Sequence, residues 1–298
     1  MNAQLDSIRR LLAGRAPARR ANDDKPVLVV ASGKGGVGTS CIAALLALRA
    51  AGAGHRTLLV DAVDGIGTLG LLLGAEPGPG LGALRGGAAD VEALMTDVVP
   101  GLTLLDAAAG ADESEAAALS AAERRILYRR VVAAYAAFDL VIVDAGSRLD
   151  GVLAAVGSGA RALLAVATPD RVTLAATHAL IKVLTGRAGH TPVHVVLNRC
   201  DEAEGSAAFD ALRAGVRRFL GRVVGFAGAV PDDARLHEAA AAGELLSVTG
   251  AAGGAGPAGA PAAAGAADAV GTIDLWGMLE GWTGPRLVRE PMTPNVGG

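Results

Sequence analysis

A glycine-rich turn, Ser32-Gly33-Lys34-Gly35-Gly36-Val37-Gly38-Thr39-Ser40, sits between an apolar run, Val27-Leu28-Val29-Val30, and an alanine- and leucine-rich segment from Cys41 to Leu48. No other feature limits the fold as strongly. Glycines at this density let the backbone N–H groups converge on one point, and the start of a helix adds positive potential there, so a strand–turn–helix of this kind holds phosphate. The spacing is that of a P-loop, with one change: threonine stands at position 39, where a lysine is expected. The cradle of main-chain amides is intact and its usual cation is missing.

Around this turn the chain alternates between two textures. Short β-like runs fall at 26–33, 56–63, 101–108, 138–145, 162–169, 194–199 and 223–231, and segments of helical spacing fall between most of them, at 40–51, 115–136, 171–187 and 205–220. Runs such as Leu140-Val141-Ile142-Val143 are apolar at every position, the pattern of strands buried on both faces of a parallel sheet. The reading is an α/β fold, a doubly wound, mostly parallel sheet flanked by helices, with ligand beyond the carboxyl ends of the strands. At 298 residues with 51% hydrophobic content, the chain is long enough for one large domain with a sizeable core.

Residues 26–248 form the expected nucleotide-binding domain. Residues 1–25 are a basic segment with Arg9, Arg10, Arg15, Arg19 and Arg20, and 249–270 are almost wholly Ala, Gly and Pro, the composition of a linker. The tail, 271–298, holds both tryptophans. Leu275, Trp276, Met278, Leu279 and Trp282 share one arc of a helical wheel there, against Asp274, Gly277, Glu280 and Gly281. An amphipathic stretch over 273–282 suits either a bilayer surface or a protein groove. A net charge of −3, with arginines lacking aromatic neighbours, argues against a nucleic-acid partner. No apolar stretch reaches the ~18–20 residues that span a bilayer, and the polar N-terminus has no signal core, so a cytoplasmic protein is expected. Cys41 and Cys200 lie far apart without metal-ligand spacing and read as small hydrophobes.

Several side chains support phosphate chemistry. Ser40 occupies the hydroxyl position that ligates Mg²⁺ in P-loops. Asp144 ends the apolar strand before it, where a carboxylate would hold the ion, and Asp61 and Asp64 follow the run Arg56–Val60. Lys34 supplies a cation within the loop. The nucleotide-binding set expected from the turn is Gly33, Lys34, Gly35, Gly36, Val37, Gly38, Thr39 and Ser40, with Ser40, Asp61 and Asp144 as the Mg²⁺ set.

With these residues the chain resembles the MinD/ParA ATPases. Lys34-Gly35-Gly36-Val37-Gly38 is similar to that family's deviant Walker A loop, whose early lysine is its signature. The likeness covers about residues 26–248 and is greatest to the FlhG (FleN) branch, regulators of flagellar number. Asp61-Ala62-Val63-Asp64-Gly65-Ile66-Gly67, Ala179-Leu180-Ile181-Lys182-Val183-Leu184, Val196-Leu197-Asn198-Arg199, Arg218-Phe219-Leu220 and Val230-Pro231-Asp232-Asp233 follow its pattern. The resemblance implies a P-loop NTPase of the SIMIBI type, ATP and Mg²⁺ as cofactors, and a nucleotide-sandwich homodimer in which Lys34 reaches the phosphates of the other copy. It also implies adenine contact by Asn198, with Arg199 and Pro231 in the nucleotide set. Gln4 and Ile8-Arg9 resemble a worn form of the element by which FlhG stimulates its partner GTPase, FlhF, and the C-terminal helix of the family binds the bilayer surface.

Two departures bear on hydrolysis. Thr39 leaves no ammonium to bridge the β- and γ-phosphates. The family switch reads D-x-D-x-G, and its second aspartate, which orients the attacking water, falls on Val63, with Asp64 one residue late. In an extended segment a shift of one residue turns the side chain to the opposite face. The expectation is an ATP-binding, nucleotide-gated dimer with Lys34 and Asp64 as its catalytic candidates, and at most a slow ATPase. A pilus-localising ATPase of the CpaE/TadZ group and a nucleotide-independent scaffold are the alternatives.

Overall fold

The computed structural model describes residues 26–63, 67–76, 78–87, 89–108, 121–187, 191–249, 273 and 275–279. Eight strands, β1 (Val27–Ser32), β2 (Thr57–Asp61), β3 (Met95–Val99), β4 (Leu102–Asp106), β5 (Leu140–Asp144), β6 (Ala162–Ala167), β7 (Val193–Asn198) and β8 (Gly225–Val230), form one sheet in the order β3-β4-β2-β5-β1-β6-β7-β8. Every neighbouring pair is parallel except β3 with β4. All residues of β1, β2, β5 and β6 are buried, as expected of strands covered on both faces.

The helices are α1 (Thr39–Gly52), α2 (Leu69–Leu72), α3 (Ala121–Ala134), α4 (Leu149–Gly157), α5 (Arg171–Arg187), α6 (Glu202–Leu220), α7 (Ala234–Ala242), α8 (Leu245–Thr249) and α9 (Leu275–Met278). On one face of the sheet Leu127 and Val131 of α3, Val152 of α4, Ile181 of α5 and Phe209 and Val216 of α6 close a core over Val29, Val60 and Val143. On the other, α1 packs with Leu69 of α2, Leu236 of α7 and Leu245 of α8 over Leu28, Leu59 and Ile142. The fold is the doubly wound sheet that the sequence indicates. Chain crossing from β1 to β2 leaves β5 between them, which brings the ends of β1, β5 and β2 side by side.

The strand that the sequence reading lacked is β3, and that reading also gave no helix at α4, α7 or α8. Strand β3 is an antiparallel edge strand with Thr96 and Asp97 exposed, so it carries no continuous apolar signature. Of the expected segments, 1–25 and most of 249–270 and 271–298 lie outside the described residues. The part of the tail that is described is buried. Ile273, Leu275, Met278 and Leu279 join the cluster around Leu45 and Leu46 of α1, and Arg49 Nη1 donates to the Ile273 carbonyl at 3.2 Å. The described members of the apolar arc, Leu275, Met278 and Leu279, are buried in the protein's own core. Among the described residues no helix is long and apolar enough to cross a membrane.

Candidate nucleotide site

The turn after β1 adopts the shape its glycines allow. Gly36 and Gly38 take φ of +83° and +91°, where a side chain would be strained. At Gly33 a Cβ would run into the backbone of Ala176 and Thr177 in α5, so only glycine lets β1 pass that helix. Val37 drops its side chain into the α1 core, while Lys34, Gly35 and Gly36 are exposed. The Gly38 carbonyl accepts from Ile42 N at 3.0 Å, opening α1 directly from the loop. The free N–H groups of the first turn of α1 therefore stand at the carboxyl end of β1.

Three carboxylates line up beside the loop. Asp144 of β5 is in register with Asp61 of β2, and Asp61 with Asp106 of β4. The residues two positions earlier, Ile142, Leu59 and Leu104, all face α1, so the three acids project to that same face. Asp144 Oδ1 accepts from Gly146 N at 2.9 Å, but its Oδ2 is buried without a hydrogen-bond partner, as is Ser32 Oγ next door on β1. Burial pushes the Asp144 pKa up, with the neighbouring Ser40 hydroxyl and Gly146 N–H pulling it back. Asp61 is more fully engaged: Oδ1 accepts from Val63 N at 3.3 Å and Oδ2 from Leu69 N at 3.0 Å. Burial still carries its pKa up to about 7, opposed by those N–H groups and reinforced by the Asp144 and Asp106 charges.

An orphaned, fully buried carboxylate oxygen beside a serine hydroxyl is a polar deficit that a hard cation would satisfy. Ser40, with Thr68 Oγ1 donating to its Oγ at 3.4 Å, and Asp144 present an all-oxygen set, which suits Mg²⁺ better than a soft metal. The residues present fit the ion. Asp61, expected in the same set, borders the site with its oxygens spent on holding α2 and the chain before it.

Asn198, at the end of β7, is buried and donates from Nδ2 to the Val37 carbonyl at 2.8 Å. Arg199 follows in the left-handed region at φ +61°, alone among the described non-glycine residues, and its charge bears on Cys41. Pro231 is exposed just past β8. Lys34 has no hydrogen bond or ion pair among the described residues. Thr39 is buried at the start of α1. Val63 lies against Gly146. Asp64 lies outside the described residues. Burial pushes the Cys41 and Cys200 thiols up to about 11.

Sequence reasoning missed Asp106 and Thr68. Asp106 accepts from Ala108 N at 3.0 Å, and a Cβ at Gly78 would come within 2.9 Å of its side chain. Its signal was present: Leu104-Leu105-Asp106 repeats the apolar-strand-then-aspartate pattern of Asp61 and Asp144.

A parallel sheet with a phosphate-type loop at its first strand and an aspartate ending the neighbouring strand defines a P-loop nucleotide-binding protein. The chain belongs to the CobQ/CobB/MinD/ParA nucleotide-binding domain family, which matches residues 28–246. It is similar to the antiactivator FleN of Pseudomonas aeruginosa, 27% identical over 214 residues, covering 72% of this chain and 76% of that one. It is also similar to the flagellum site-determining protein YlxH of Helicobacter pylori, 26% identical over 156 residues and 52% of each chain. Among solved structures, the septum site-determining protein MinD of Pyrococcus horikoshii, complexed with Mg-ADP, superposes with a TM-score of 0.65 at 19% identity, over 85% of this chain and 97% of that one. At that identity the structural likeness speaks for the fold alone.

Proposed function

We propose that this protein binds ATP with Mg²⁺, dimerises on doing so, and regulates the number or placement of flagella while hydrolysing ATP slowly or not at all. The observation that carries the nucleotide reading is the pairing of an open amide cradle with the orphaned Asp144 Oδ2 beside Ser40. Mg²⁺ bound there would neutralise phosphate charge. The main-chain N–H groups of 33–40 grip the phosphates, Ser40 and Asp144 hold the ion, and Asn198, Arg199 and Pro231 border the base. Lys34, exposed and without a partner among the described residues, would reach the phosphates of a second copy on this reading.

The same side chains support weak turnover. Thr39 removes a charged hydrogen bond, a loss of ~1.5–3 kcal/mol, and Val63 offers nothing to orient water. The flagellar assignment draws on the likeness to FleN and YlxH. On this reading the protein works in the cytoplasm, FlhF is the partner approached by residues 1–25, the segment 249–270 is a linker, and the tail 271–298 serves peripheral membrane contact once it leaves α1. Light scattering tests the first part: the protein should become a dimer with Mg-ATP and stay a monomer with ADP. In cells, deleting the gene should change the number of flagella counted by electron microscopy, and an unaltered count with altered pili would favour the pilus reading.

A further inference from the structure

We propose that Ser32 is a positioning residue of the metal site: its hydroxyl and Asp144 Oδ2 together hold one buried water that a bound Mg²⁺ would take as a ligand. This rests on the nucleotide reading above and adds a residue to it. Among the described residues only two buried side-chain oxygens lack a hydrogen-bond partner, Ser32 Oγ and Asp144 Oδ2. They stand on the neighbouring strands β1 and β5, and Ser32 is 1% exposed.

Leu28 and Val30 face α1, so Ser32, two residues further along β1, faces it too, as Asp144 does. Across from Ser32 on β6 stands Val166, which offers no polar side chain. On the β5 side, Ser32 N donates to the Gly146 carbonyl at 2.9 Å, and Gly146 N donates to Asp144 Oδ1 at 2.9 Å. The carboxylate therefore leans along β5 toward the level of Ser32. Asp144 is in register with Val30, which sets it on a diagonal from Ser32 of about 8 Å between Cα atoms. Side chains on such a diagonal miss direct contact, and one oxygen between them closes the gap. A buried hydroxyl and a carboxylate oxygen, each without a partner, are the groups that an internal water satisfies. A water has two protons, one for each oxygen, and keeps a lone pair for a cation. Mg²⁺ gives up its waters reluctantly, so a water already in place suits its entry.

The test compares wild type with Ser32→Ala and Ser32→Cys, the second keeping the volume with a far weaker hydrogen-bonding group, so that it carries the test if the alanine variant does not fold. Calorimetry with ATP in EDTA and with Mg-ATP reads the factor by which magnesium tightens binding. That factor should fall roughly two- to tenfold in both variants, with the affinity for magnesium-free ATP unchanged. A factor equal to that of wild type would overturn the proposal. So would equal weakening with and without magnesium, which would make Ser32 a support of the loop alone. A crystal structure of the ligand-free protein should show an ordered water within hydrogen-bond distance of both oxygens, and well-ordered density without one would also overturn it. If wild type binds no nucleotide, the functional reading fails, and that water still decides the role of Ser32.

Discussion

At Thr39 a threonine occupies the loop position where the P-loop lysine is expected. Returning the lysine should restore a charged hydrogen bond worth ~1.5–3 kcal/mol. Thr39→Lys is therefore expected to tighten ATP binding by roughly ten- to a hundredfold in calorimetry. An unchanged affinity would mean that the main-chain amides already saturate the phosphates. Asp61 makes a second residue-level prediction, through its protonation. Its folded pKa, about 7, lies above the unfolded value of 3.8. The folded state thus holds the extra proton between those values, and its contribution to stability is present below pH 4 and lost as pH rises through 7. Without nucleotide or magnesium, the melting temperature of wild type should fall relative to Asp61→Asn between pH 4 and pH 7. Parallel curves for the two proteins would remove the burial argument at this site.

Elements show which features could be read from sequence and which could not. Each run read as a strand is one, because parallel interior strands such as β5 are apolar at every position. Strand β3 escaped because an edge strand with Thr96 and Asp97 in solvent has no such pattern. Ser40 and Asp144 were legible as a pair, being fixed by spacing to a loop and by position to a strand end. The Asn198–Val37 bond was not, since it joins segments that only the sheet order brings together. The same holds for Gly33, whose need is visible only once α5 lies across it. Gly33→Ala should therefore abolish measurable ATP binding and lower the melting temperature, because backbone cannot move aside as a side chain can. Helix α6 offers a simpler check: Asp201 caps it by accepting from Glu204 N at 2.9 Å. Asp201→Ala should cost about 1 kcal/mol in urea denaturation, with no effect on nucleotide.

For the whole molecule, the tail and the phosphate loop meet on one helix. α1 begins at the cradle, its Arg49 donates to the Ile273 carbonyl, and its Leu45 and Leu46 share a buried cluster with Ile273, Leu275, Met278 and Leu279. Leu275→Ala removes a buried side chain from that contact and should destabilise the protein by ~2–5 kcal/mol if the cavity does not collapse. A loss below half a kilocalorie would mean that this segment contributes little to the fold.

The account stands on amides at the end of β1 enclosing a polyphosphate without the customary lysine, with a metal ion completing Asp144. Titrating the full chain with ATP in the calorimeter, with and without magnesium, addresses this directly. Saturable binding at one site per chain is expected, tighter with magnesium, and Asp144→Asn should erase the difference the ion makes. Absence of heat at saturating Mg-ATP, with the protein folded, would contradict the account.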